Sequence, residues 1–570
     1  MYYIALASDY DGTLADDGRV ADATLEALWR LKETGRKLIL VTGRLLPDLK
    51  EVFPQFAMFD KIVAENGALL YTPASEEERL LASPPVADFI ERLRELGVAP
   101  LSAGRCIVST WEPNEGKVLQ AVRELGLELE IIFNKGAVMT LPSGVNKATG
   151  LAVALAELGL SSHNVVAVGD AENDHALLAS CGVGVAVANA LPKLKEIADV
   201  VLDEPRGAGV TRLADRIIAE DANLFIGDKQ RVSLGLDESG ATGYLRPFGQ
   251  SVLIAGTSGV GKSTLATTLT ERFAEQDFQF CILDPEGDYA ELKDVMVVGD
   301  VRTPPSIAQA VSLLGEGRKN VVVNTLALKL DERPSFFAKL LPEIASLRAR
   351  AARPHWLIFD EAHHLLPSGR DGASLALPRH LPAAIFIAVQ PRSLAADVLA
   401  AIDTIIAVGE QAASVIAEFC AAIGEAAPPL SPSPGKDQVL FWRRGTKALP
   451  LRVAINRPRQ EHKRHTRKYA EGRLGEDRSF YFVGPEGALK LRAYNLIVFL
   501  DLLDGVDERT FEHHLRAGDF STWFEKVVGD KDLAAEAQAA ERDKTLPLDE
   551  ARAKIRDAVK RRYTAPASSD

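Results

Sequence analysis

Residues 4–13 read IALASDYDGT and residues 251–264 read SVLIAGTSGVGKST. In each, an apolar run of the length of one buried strand stops abruptly at residues suited to chemistry, paired aspartates in the first and a glycine-rich turn with a lysine in the second. A strand that ends in functional groups is the unit of a parallel α/β sheet, in which sites form at the carboxyl ends of strands. Two such units about 250 residues apart predict two α/β modules in one chain, each with its own site.

Working outward from the first stretch, an amphipathic segment over 22–34 leads to KLILVTGR (37–44), and NVVAVGDAEND (164–174) comes later. This alternation predicts a Rossmann-like parallel core. The interval 84–140 differs, with helical FIERLREL and VLQAVREL between strand-like RCIVST and IIFNKGAVMTL, and reads as a small α/β cap. The expected divisions are a first module over 1–220 (core 1–83 and 141–220, cap 84–140) and a connector with short strands over 221–249. A second module over 250–456, a basic linker over 457–476 and a small helical domain over 477–570 follow. The second module shows five strand candidates beginning at SVLIA and ending at AAIFIAVQP.

The chain has 570 residues, 47% hydrophobic, with a formal charge of −13, which argues against an all-over nucleic-acid coat while leaving room for a local basic groove. No apolar run reaches the roughly 18–20 residues that span a bilayer, and the opening MYYIALASDY lacks a basic region and a cleavage site. The expectation is a cytoplasmic protein without a membrane partner. Cys106, Cys181, Cys281 and Cys420 are too scattered for a zinc site and read as small buried hydrophobes.

In DYDGT, Asp9 and Asp11 lie on one side of an extended chain, so one carboxylate can attack phosphorus while the other protonates the leaving oxygen. With VTGR, a lone lysine and GDAEND in that order, residues 1–220 resemble the haloacid dehalogenase superfamily. AENGA around Asn66 and the placing of the cap point to its Cof-type branch, which includes archaeal phosphoglycolate phosphatases and sucrose-phosphate phosphatases. The resemblance implies that Asp9 is the nucleophile that becomes an aspartyl-phosphate and that Asp11 is the acid/base. It implies that Thr42 and Lys147 hold phosphoryl oxygens, that Asp9, the Asp11 carbonyl and Asp170 bind Mg²⁺, and that Asp174 supports the metal from behind. The short cap favours a compact phosphomonoester substrate.

The segment Gly256–Ser263 fits GxxxxGK[ST] between a strand and a helix, so Gly256, Gly259, Gly261, Ser263 and Thr264 belong to a phosphate cradle. Lys262 reaches the β and γ oxygens of ATP, and Ser263 ligates Mg²⁺. In HWLIFDEAHH, Asp360 ends a strand and assists the metal, while Glu361 activates water. His363 and His364 lack partners at metal spacing. LDPEGDY and VQPRS, together with DEAHHLLP, resemble the HerA and FtsK group of ring-forming, DNA-translocating ATPases, although VQPRS exchanges a proline and an arginine. That resemblance implies that Glu286 and Asp288 line the nucleotide site and that Gln390 senses the γ-phosphate. It also implies a homo-oligomer, a hexameric ring in the manner of that group, with DNA as a partner. Arg348, Arg350, Arg353 or Arg392 could act on a neighbour's nucleotide, and the run Arg457–Lys468 could touch a phosphate backbone; solvated surface is the plainer reading of both. A kinase/3′-phosphatase of polynucleotide ends, and a metabolite phosphatase with a nucleotide-regulated assembly module, are the alternative readings.

Overall fold

The computed structural model describes residues 1–563 except 258–259, 318, 330, 369–382, 430–432, 436, 447, 457–473, 475–478, 488 and 529. Gly259, the basic run 457–468 and the charged end of the chain lie outside the described residues. The chain divides into two compact units, Met1–Arg457 and Pro458–Asp570. No described helix is long and apolar enough to cross a membrane.

The first unit holds two large sheets. In the first, the strands run in the order Val200–Val201, Val183–Ala186, Val165–Gly169, Ala5–Ser8, Lys37–Val41, Lys61–Ala64, Leu69–Thr72, Glu77–Leu80. Pairing is parallel up to Lys61–Ala64 and antiparallel for the last two. The central strands are buried on both faces, which is why they read as unbroken apolar runs rather than alternating ones. An insert follows the last of these strands: four antiparallel strands in the order Ser102–Ala103, Val108–Trp111, Ala137–Pro142, Leu129–Asn134, with helices Ala87–Glu95 and Glu115–Glu124. Phe89, Leu93, Val118 and Val122 close its own small core.

The second sheet contains parallel strands in the order Thr404–Val408, Ser251–Ala255, Ala384–Ala388, Trp356–Phe359, Phe280–Asp284, Asn320–Asn324, Val295–Val298. It is extended antiparallel by Gln438–Arg443, Leu451–Ile455, Val232–Asp237 and Thr242–Leu245. The two strands of the segment read as a connector are therefore the edge of this sheet.

The two sheets meet at the amino ends of their strands. Asn164, directly before Val165–Gly169, donates from Nδ2 to the Tyr2 carbonyl at 2.9 Å, and its Oδ1 lies 3.0 Å from Nε2 of His355, directly before Trp356–Phe359. The other ring nitrogen of His355 accepts from the Gln279 amide at 2.9 Å, directly before Phe280–Asp284. That acceptor fixes the neutral tautomer, with Nε2–H donating to Asn164. His163 stacks on Phe278 with ring centroids 4.1 Å apart, Tyr2 packs on Phe248 at 4.6 Å, and Arg353 donates to the Gly159 carbonyl. One apolar core continues from the first sheet into the second.

The second unit packs helices Leu496–Gly505, Glu508–Ala517, Asp519–Trp523, Lys531–Arg542 and Leu548–Tyr563 beside a two-stranded ladder, Phe480–Phe482 with Leu491–Ala493. Phe511 and Trp523 are in its core, as expected of aromatics at helical spacing.

Candidate active sites

At the carboxyl ends of the adjacent strands Ala5–Ser8 and Val165–Gly169, Asp9, Asp170 and Asp174 are buried, and each offers an oxygen within 4.8 Å of the others. Lys147 opens the helix Lys147–Leu158, whose N-cap Asn146 and Thr149 form a capping box that fixes the first turn. Its Nζ donates to Asp9 Oδ1 and to Asp174 Oδ1, each at 2.6 Å. The second oxygen of Asp174 accepts the amides of Asp170 at 2.9 Å and Ala171 at 3.0 Å, so this carboxylate holds the loop and the lysine together. Thr42 is fully buried, and its hydroxyl accepts the Arg44 amide at 3.1 Å, leaving its own proton to donate.

The Asp11 carboxylate is engaged by Arg44 in a two-pronged ion pair, at 2.7 Å from Nε and 2.8 Å from a terminal nitrogen, and Arg44 also holds Asp48. Lys135, at the tip of the insert's hairpin, donates to Asp170 Oδ2 at 2.6 Å and to the Asp11 carbonyl at 3.3 Å. Thr13 and Asn189 complete the hydrogen bonds of Asp170, at 3.2 Å and 3.3 Å. Neither Lys135 nor the pairing of Arg44 with Asp11 was foreseen from sequence, because each depends on groups far apart in the chain. Nearby, Asn66 has φ +55° and accepts from Asn173 Nδ2 at 3.1 Å, while Asn66 Nδ2 and Asn173 Oδ1 are buried without a hydrogen-bond partner among the described residues.

The electrostatics call for a cation. Burial, then the charge of Asp174, push Asp9 up to about 7 against the pull of Lys147, with Asp170 adding to the rise. Burial also raises Asp170, opposed by Lys135. Burial works against the ammonium of Lys147, but Asp174 and Asp9 outweigh it and hold the lysine raised. Hard oxygen donors within 4.8 Å of one another, with the Asp11 carbonyl beside them, fit a divalent cation such as Mg²⁺.

In the second site, helix Lys262–Glu275 begins at the lysine of the glycine-rich turn, and Gly261 has φ +103°. Lys262 Nζ folds onto the carbonyls of Gly256 at 2.8 Å and Thr257 at 3.0 Å. A side chain at Gly256 would meet the Val408 carbonyl oxygen at 2.4 Å, so glycine lets the turn lie against the neighbouring strand end. Ser263 and Thr264 occupy the first helical turn. Burial lowers the Lys262 pKa, opposed by Glu361, Asp360 and Glu286, which face it. Asp360 is buried and raised well above an ordinary carboxyl, first by burial and then by Glu361, Asp284, Asp288 and Glu286. Glu361 sits at φ +40°, a conformation costly for a side chain of its size and common at functional turns.

Asp284 is a scaffold: its Oδ1 accepts the amides of Glu286, Gly287 and Asp288, and its Oδ2 that of Tyr289, which shapes the DPEGDY turn and turns Glu286 toward the lysine side. Gln390 is exposed just beyond Ala384–Ala388, the strand that separates the glycine-rich turn's strand from that of Asp360. His363 Nδ1 lies 3.4 Å from a Glu361 oxygen. Among the arginines considered for action in trans, Arg348 donates to the carbonyls of Pro354 and His355, Arg353 is buried against Gly159, and Arg392 pairs with Glu418 at 2.6 Å. Arg348 and Arg353 are thus engaged with backbone carbonyls of this chain, whereas Arg350 is exposed.

Comparison with known proteins places a haloacid dehalogenase-like hydrolase family over residues 6–104 and 112–213, and the family described as helicase HerA, central domain, over residues 234–369. Phosphoglycolate phosphatase 2 of Saccharolobus solfataricus is 33% identical over 226 residues, 38% of this chain and 93% of that protein. A phosphoglycolate phosphatase of Methanothermobacter thermautotrophicus is 30% identical over 223 residues, 38% of this chain and 98% of that protein. Among solved structures, a haloacid dehalogenase-like hydrolase from Bacteroides thetaiotaomicron matches 38% of this chain and 99% of its own, with 22% identity and a TM-score of 0.34.

Proposed function

We propose, from the premise that the chain belongs over residues 6–213 to the haloacid dehalogenase-like hydrolases, that it is a magnesium-dependent phosphomonoester phosphatase joined to a HerA-like ATPase. The observation that carries this reading is the buried contact of Lys147 with both Asp9 and Asp174 at the ends of adjacent parallel strands. The Asp9 carboxylate attacks phosphorus, the ester P–O bond breaks, and the leaving oxygen takes a proton from Asp11, which leaves Arg44 and takes that proton from solvent before delivering it. Asp11 then removes a proton from water, whose oxygen attacks the aspartyl-phosphate and frees Asp9 and phosphate. The Thr42 hydroxyl and the Lys147 ammonium hold the phosphoryl oxygens as charge gathers on them. Asp9, the Asp11 carbonyl and Asp170 would hold Mg²⁺, with Asp174 behind them; the metal supplies further neutralisation of the phosphoryl group. The insert acts as the cap over this site. The names of the relatives support a small anionic phosphomonoester of the phosphoglycolate kind as substrate.

In the second module, Gly256, Gly261, Lys262, Ser263 and Thr264 cradle the phosphates of ATP, Asp360 supports the metal, and Glu361 orients water, with Glu286 and Gln390 at the rim. Likeness to the HerA central domain extends the reading to a homo-oligomer with DNA as a partner.

The test is phosphate release with Mg²⁺ from phosphoglycolate, from 3′-phosphorylated DNA and from ATP with and without DNA, in the wild type, Asp9→Asn and Lys262→Ala. Asp9→Asn should lose on the order of 10⁴-fold or more of monoester hydrolysis while keeping ATP turnover, and Lys262→Ala the reverse. Monoester hydrolysis that survives Asp9→Asn would refute the assignment.

A further inference from the structure

Lys135 has no counterpart in the chemistry just described, yet its ammonium reaches the centre of the phosphatase site. It stands on the two-residue turn Lys135–Gly136, between strands Leu129–Asn134 and Ala137–Pro142, with φ +50° and +86° at the two positions. A turn with both φ values positive favours Asn-Gly or Gly-Gly, and a long lysine at its first position sits in a conformation that side chains of this kind avoid. What the turn gains from a lysine is reach. The ammonium bonds to Asp170 Oδ2 at 2.6 Å and to the Asp11 carbonyl at 3.3 Å, two of the groups assigned to a divalent cation. The strand Leu129–Asn134 also lies against the turn Glu172–Asp174, so the whole hairpin tip bears on the metal motif.

We propose that Lys135 is a positioning residue that ties the insert to Asp170 and the Asp11 carbonyl, and that a divalent cation taking the same oxygens displaces it and frees the insert to open for substrate. The inference rests on the reading of Asp9, Asp170 and the Asp11 carbonyl as a metal site. Lys147 already serves Asp9 and Asp174, so Asp170 has Lys135 as its cationic partner among the described residues. A single positive charge on a flexible stem satisfies Asp170 only in part, and a dication between the same oxygens outcompetes it. Asp170 is 1% exposed at its side chain whereas Lys135 is 45% exposed, so the lysine can leave into water while the carboxylate cannot follow.

All four native cysteines are buried, so cysteines introduced at exposed Trp29 on the core and exposed Leu119 on the insert can be labelled selectively in the full chain. Energy transfer between the labels reads closure, and calorimetry with Mg²⁺ and no substrate reads metal affinity. In the Trp29→Cys/Leu119→Cys protein, Mg²⁺ should lower transfer. Adding Lys135→Ala should lower transfer before any metal is present, abolish its response to Mg²⁺, and tighten Mg²⁺ binding on the order of tenfold. A change in affinity alone, with the transfer response intact, means that Lys135 acts only through its charge, and overturns the latch. Metal binding lost in Asp170→Asn but untouched by Lys135→Ala in both readouts overturns the latch and leaves the metal site standing. Absence of Mg²⁺ binding in the wild type overturns both.

Discussion

Asp9, the proposed nucleophile, lies in surroundings that resist its charge. Burial and the neighbouring Asp174 push it up to about 7, well above the unfolded-chain value near 3.9. Between about pH 4 and 7 the folded, metal-free protein therefore holds a proton that the unfolded chain has lost. Its metal-free stability falls as pH rises through that window, and binding of a cation recovers the loss. For the metal the sign is the opposite: below about pH 7 a proton must leave before a cation can bind. The apparent Mg²⁺ affinity should thus weaken by up to about tenfold per pH unit below 7 and level off above it. Calorimetric titrations at pH 6, 7 and 8 check this, and an affinity flat across that range would show that Asp9 is not the group that competes.

At the scale of elements, the phosphatase site depends on how closely one helix approaches one turn. Gly67 has φ +108°, and a side chain on it would meet the Asn146 carbonyl oxygen at 2.0 Å, while one on Gly150 would meet the Gly67 α-carbon at 2.7 Å. These two glycines let the helix that carries Lys147 dock against the turn that carries Asn66. Gly67→Ala should cost about 3 kcal/mol by the strained φ and the forced separation, and should lower monoester hydrolysis more than ATP turnover. Denaturant unfolding and the two assays measure both effects. Asp9, Thr42, Lys147 and Asp170 were legible in the sequence because each follows a strand or opens a helix in a short local pattern. Lys135 was not, because it meets Asp11 only after a separation of 124 residues is closed by the folding of the insert onto the core. The role of Asp284 was hidden for a different reason: an acid in a motif reads as a ligand, and only the four amides it accepts show that it shapes the turn instead. The edge strands at Val232–Asp237 and Thr242–Leu245 were readable as strands, but the pairing of Val232–Asp237 with Leu451–Ile455 spans the whole ATPase module.

At the scale of the molecule, the first unit should unfold as one body, because the buried chain Tyr2–Asn164–His355–Gln279 and a continuous core join its two sheets. Scanning calorimetry should give one transition for residues 1–456, shifted upward by a non-hydrolysable ATP analogue together with the phosphatase module. Separate transitions, only one of them ligand-sensitive, would contradict it. At the junction, His355 adds a pH dependence of its own. Burial, with His163, Arg353 and Arg348 around it, holds its pKa well below 6.5, so the unfolded chain takes up a proton that the folded junction refuses. Stability from this group is present above about pH 6.5 and is lost as pH falls below it. His355→Gln, which keeps a donor and an acceptor but does not titrate, should flatten that part of the profile.

The same junction sets the two candidate sites apart. The strands that lead to Asp170 and Asp360 meet at their amino ends across Asn164 and His355, so each carboxylate lies a strand length, about 15 Å, from the junction. What the fusion shares between its two modules is a frame, the buried contacts of Asn164, His355 and Gln279 and one continuous core.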